Sequence, residues 1–87
     1  MTLTETERWL VDYFAEHGNG TASAHDAETL LDANYFELEI LDSLGLVVMI
    51  GDIEATYELA LEPADLQDPR FCSVRGLAQI VDEARAR

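Results

Sequence analysis

Three stretches of this 87-residue chain set apolar side chains at helical spacing, and none alternates them convincingly at the two-residue period of a half-buried strand. That restricts the chain to an all-α fold, and its length allows a single small domain over residues 1–87. The first stretch, Thr4 to His17, carries Trp9, Leu10, Tyr13 and Phe14 as one apolar stripe, read as core. Thr4 and Glu7 have capping-box spacing, and Gly18-Asn19-Gly20 suits a helix stop. The last stretch has Ser73 as N-cap, Val74, Leu77, Ile80, Val81 and Ala84 as its stripe, and Arg85 and Arg87 at its dipole-favoured end.

The middle stretch, Ser43 to Glu58, begins after Asp42, a good N-cap. Met49, Ile53 and Tyr57 should face the core with Leu46 and Ile50 beside them. Leu44, Val47 and Val48 add more apolar surface than one core face requires, while Asp52, Glu54 and Glu58 occupy much of the remainder. Such a helix has either two buried faces or one face awaiting a partner. Gly51 within it costs roughly 1 kcal/mol relative to Ala, which a close approach of backbone or cargo would explain.

Residues 18–42 are too long a connection to be structureless in so small a domain. Asp26 to Leu31 supplies one or two helical turns, with Asp26 as cap. Leu30, Leu31, Tyr35, Phe36, Leu38, Ile40 and Leu41 pin the connection to the core. Between Pro63 and Pro69 there is room for one helical turn anchored by Leu66. The expectation is therefore a four-helix bundle with a long first connection and a short third helix.

Charge narrows function. Acids outnumber bases 18 to 5, for a net −13, and there is no Lys. From Trp9 to Pro69 every formally charged side chain is acidic. This balance argues against nucleic acid and anionic membrane surfaces, favours basic protein partners, and opposes self-association, so a monomer is expected. No apolar run approaches a membrane span, and the N-terminal residues lack a basic-then-apolar leader. With Cys72 as the one cysteine, a cytoplasmic location is expected.

Catalytic alternatives are poor. His17 and His25 lack a second ligand at metal spacing and read as surface or capping residues. Asp12 with Glu16, and Glu54 with Glu58, are neighbours on solvated faces rather than acid–base pairs, and Cys72 reads as a small buried apolar residue. Ser43 lacks the glycine-flanked strand-to-helix elbow of a serine hydrolase. Asp42-Ser43-Leu44 taken alone is a helix start and nothing more.

Its surroundings change that reading. From near Thr4 to about Ala84 the chain resembles the acyl, peptidyl and aminoacyl carrier proteins that hold a phosphopantetheine arm. The most specific part is Asn34-Tyr35-Phe36-Glu37-Leu38-Glu39-Ile40-Leu41-Asp42-Ser43-Leu44, followed by Ile53-Glu54-Ala55-Thr56-Tyr57. Asp65-Leu66 and Pro69-Arg70-Phe71-Cys72-Ser73-Val74 are similar to the family's short third helix and the start of its fourth.

The resemblance implies that Ser43 accepts the 4'-phosphopantetheine arm of coenzyme A from a phosphopantetheinyl transferase, while Asp42 caps the turn and helps present the serine. It implies a non-catalytic carrier whose partners, including an acyl or aminoacyl ligase, transferase or synthase, dock beside Leu44 and Val47. Val48, Asp52 and Glu54 complete the candidate partner surface. Gly45, Val48 and Glu39 depart from residues common in fatty-acid carriers, which puts general fatty-acid synthesis in doubt. The Ile-Leu-Asp-Ser-Leu form looks closer to stand-alone carriers of dedicated pathways, such as D-alanyl or aminoacyl types. The competing reading is an unmodified acidic helical adaptor that binds a basic partner through the same helix.

Overall fold

The structure is a computed structural model that describes residues 3–17, 27–35, 37 and 43–86. It is all-α, with five helices among the described residues: α1 (Glu5–His17), α2 (Ala27–Asp32), α3 (Ser43–Tyr57), α4 (Pro63–Leu66) and α5 (Val74–Ala86). A 3-10 turn, Pro69–Cys72, leads into α5. Gly18-Asn19-Gly20, His25, Asp26, Phe36, Leu38, Glu39, Ile40, Leu41, Asp42 and Arg87 lie outside the described residues.

The helix starts follow local chemistry. The Glu7 N–H donates to the Thr4 hydroxyl at 3.1 Å, and the Thr4 N–H donates to the Glu7 carboxylate at 2.8 Å, closing the capping box. The Gly76 N–H donates to Ser73 Oγ at 3.0 Å, so Ser73 caps α5. α3 stops one residue short of its expected end, because Glu58 turns left-handed at φ 53°. The Leu59 N–H then reaches back to the Glu54 carbonyl at 3.2 Å, closing the helix as a Schellman motif.

The core gathers around α5, whose Val74, Leu77, Ile80 and Val81 are buried. They share one apolar cluster with Leu10 and Phe14 of α1, Leu30 and Leu31 of α2, and Met49 and Ile53 of α3. Fully burying each such side chain contributes roughly 1.5–3 kcal/mol, so the helices are held chiefly by their shared interior. Tyr35 is also buried, its ring tilted against Phe14 at a centroid distance of 5.0 Å. Its hydroxyl donates to the Phe71 carbonyl, and its N–H donates to the Cys72 carbonyl at 3.2 Å. These bonds tie the first connection to the turn before α5.

Several expectations need correction. Leu66 is 41% exposed and anchors nothing, since Leu59 and Leu61 are the residues that pack on the core near α4. Cys72 is only half-buried because its turn runs along the surface. Trp9 is likewise half-buried, packed on the core's edge rather than within it. A Cβ added at exposed Gly51 would meet nothing within 4 Å, so no close approach among the described residues explains that glycine.

A different glycine carries the close approach. At buried Gly76 a Cβ would lie 2.8 Å from Arg70 Cα and nearer still to its carbonyl oxygen. The 3-10 turn therefore sits directly on the α5 backbone. Arg70 secures the arrangement by pairing with Asp68 at 2.9 Å and with Glu83 of α5 at 2.7 Å.

Candidate functional site

Ser43 is the first residue of α3, so its backbone stands in the turn whose N–H groups have no partner within the helix. Asp42 lies outside the described residues. The first turn of α3 holds no acidic residue, whereas that of α1 holds Glu5 and Glu7. An anion placed at the start of α3 would thus meet the positive helix end without a carboxylate from that turn opposing it. The donor set suits a phosphate group.

The following side chains divide cleanly. Met49 and Ile53 are buried, and Leu46 and Ile50 pack partly against the core. Leu44 is 73% exposed, Val47 64% and Val48 50%. Of the two options for this helix, one buried face and one uncovered apolar face is what the described residues present. The three side chains recur at i, i+3 and i+4 and form one exposed patch directly after Ser43.

The two acids proposed beside that patch are engaged within the chain. Asp52 accepts a hydrogen bond from the Tyr13 hydroxyl at 2.7 Å. Glu54 accepts one from the Leu61 N–H at 2.9 Å, which places it away from the fully solvated position expected of its spacing with Glu58. Asp12 and Glu16 are exposed, as expected. His17 is exposed too, with its Nδ1 3.3 Å from the Tyr13 carbonyl and its ring stacked on Tyr13.

Shifted titrations lie elsewhere and have structural causes. Burial, reinforced by the bond to Asp52, raises the Tyr13 hydroxyl to about 12. Burial also pushes up Tyr35 and Tyr57. The hydrogen bonds from Arg70 hold Asp68 and Glu83 below the usual carboxylate range. None of these groups belongs to the exposed patch, and no cluster of three or more metal-ligating side chains occurs among the described residues. The region offers a helix start beside an exposed apolar patch.

Sequence reasoning missed three linking contacts: Tyr13 to Asp52, Arg70 to Glu83, and the Thr6 hydroxyl donating to Asp82 at 2.6 Å. Each joins residues far apart in the chain, so neither period nor spacing signals it. No helix of the described residues is long and apolar enough to cross a membrane.

Comparison with known proteins gives one family. The family described as the phosphopantetheine attachment site matches residues 22–81, a span holding α2, α3, α4, the 3-10 turn and part of α5. No curated protein and no solved structure matches the chain. With well over half of its length inside that match, and the acid-free start of α3 within it, this chain belongs to the phosphopantetheine-attachment-site family.

Proposed function

We propose that this protein is a stand-alone carrier domain, spanning 1–87, modified on Ser43 with 4'-phosphopantetheine, that delivers acyl or aminoacyl cargo to the enzymes of a dedicated pathway. The observation that carries the reading is the position of Ser43 as first residue of α3, inside the family match and beside an exposed apolar patch. The phosphate would lie at the positive end of the α3 dipole, and Asp42 would cap the helix and present the serine to the transferase. When attached, the arm supplies a terminal thiol that holds cargo as a thioester.

The carrier's own part is positional. It performs no bond-making step and raises the local concentration of cargo at successive partner sites. Leu44, Val47 and Val48 form the contact patch for the phosphopantetheinyl transferase and for the loading ligase, transferase or synthase. Asp52 and Glu54, which follow the patch along α3, would extend that contact. The charge of −13 steers basic partners toward the domain and opposes self-association, in keeping with a monomer.

The test is intact-protein mass after incubation with coenzyme A, magnesium and a permissive phosphopantetheinyl transferase, alongside Ser43→Ala. One phosphopantetheinyl group gained by the wild type alone, with unchanged helicity in the variant, is the expected result. A gain in neither protein, with the transferase active on a control carrier, would overturn the reading in favour of an unmodified adaptor.

A further inference from the structure

Ser43 to Gly51 is a run of nine residues without a charged side chain, in a chain that carries 18 acids and 5 bases. The large exposed side chains of that run are Leu44, Val47 and Val48. The first acids beyond it, Asp52 and Glu54, are half-buried and already accept hydrogen bonds from the Tyr13 hydroxyl and the Leu61 N–H. Exposed acids stand on other helices, among them Asp12 and Glu16 on α1 and Asp82 and Glu83 on α5. The electric field of the domain and the face beside Ser43 therefore belong to different parts of its surface.

Charge and size decide what can cover that face. A second copy of the chain is opposed by the −13 that each would carry. Three side chains are also far fewer than the roughly 20–30 residues a side of a stable interface. A strongly basic contact surface fits no better. Its cations would give up water against Leu44, Val47 and Val48, with no carboxylate there to replace it. An apolar surface fits, because its burial against these three side chains leaves no charge unpaired.

We propose, resting on the carrier reading above, that the partner surface meeting the first half of α3 is apolar and that recognition there uses no ion pairs. The net charge draws a basic partner in from a distance, and the contact that follows is uncharged. Salt then slows the approach without loosening the contact. So small a contact is brief, which suits a domain that must leave one enzyme for the next.

The test is the initial rate of modification of the full chain by a limiting, permissive phosphopantetheinyl transferase with coenzyme A and magnesium, read as intact mass. It is run at about 0.1 M and about 1 M sodium chloride, between which the screening length falls from about 10 Å to about 3 Å. Each variant is expressed as a ratio to wild type, which cancels the effect of salt on the transferase itself. Val47→Thr with Val48→Thr keeps shape and charge but adds hydroxyls that resist burial, and should slow modification about fivefold at both salt concentrations. Asp52→Asn with Glu54→Gln keeps the acceptors for Tyr13 and Leu61 and should cost less than the valine pair at either concentration. A larger loss in the acid pair at low salt that vanishes at high salt would overturn the proposal, as would a valine pair that matches wild type. No mass gain in wild type at either concentration, with a control carrier modified, is the separate failure of the carrier reading and removes this proposal with it. Circular dichroism confirms before the rates are taken that both double variants keep their helices.

Discussion

Asp52 accepts a hydrogen bond from the Tyr13 hydroxyl at 2.7 Å, joining α3 to α1. The phenol is held neutral by burial and by this carboxylate, with its titration raised from 10.0 to about 12. A group raised on folding contributes stability that is complete below its unfolded value and disappears as pH climbs through the folded one. We therefore expect urea midpoints to fall between pH 10 and 12 more steeply in the wild type than in Tyr13→Phe. A parallel decline in the two proteins would disprove the assignment.

The acid side turns on Arg70. Because it lowers the titrations of Asp68 and Glu83, the pairs support the fold above the ordinary carboxylate range and lose that support as pH falls through the lowered values. Falling pH also relieves the repulsion of a chain at −13, so the informative quantity is a difference between proteins. In Arg70→Gln, the stability gap from wild type should be present at pH 7 and shrink toward pH 2.5. Glu83 is exposed and Asp68 half-buried, and the gap will be salt-sensitive.

Gly76→Ala places a methyl group against the backbone of Arg70. Helix propensity favours the alanine by up to about 1 kcal/mol, but backbone cannot move aside as a flexible side chain would. The clash should win, with a net loss of about 1–3 kcal/mol in chemical denaturation. Gly51→Ala is the matched control, since it meets open space and should stabilise α3 by about 0.5–1 kcal/mol.

At the proposed docking face, Val47→Asp and Val48→Asp alter exposed side chains and should change global stability by no more than about 0.5 kcal/mol. The rate of Ser43 modification by a phosphopantetheinyl transferase should nevertheless fall at least tenfold, through loss of apolar contact. Quantitative mass spectrometry at limiting transferase measures it. Unchanged rates in both variants would move the docking face elsewhere.

How much of this was legible beforehand depended on range. Thr4 with Glu7, and Ser73 with the Gly76 N–H, act across three residues, so their caps were readable from spacing. The α5 stripe was readable because Val74, Leu77, Ile80, Val81 and Ala84 each face one way on a regular helix. Leu66 was misplaced because its apolarity says nothing about whether Leu59 and Leu61 reach the core first. Asp52 and Glu54 look like free surface acids until Tyr13 and the Leu61 N–H are brought to them by the fold. The start of α3 was the most legible part of the site, since its defining residues are contiguous. Trp9, Tyr13 and His17 are evenly spaced, yet only packing reveals that they stack and that Trp9 remains half uncovered.

The bond from Thr6 to Asp82 spans 76 residues, and α5 covers much of the apolar side of α1. A nascent chain still lacking residues 74–84 therefore has Leu10 and Phe14 without their eventual cover. Closure waits for the slow meeting of distant segments. A chain truncated before Val74 would keep that apolar surface exposed, so aggregation is the hazard of incomplete synthesis.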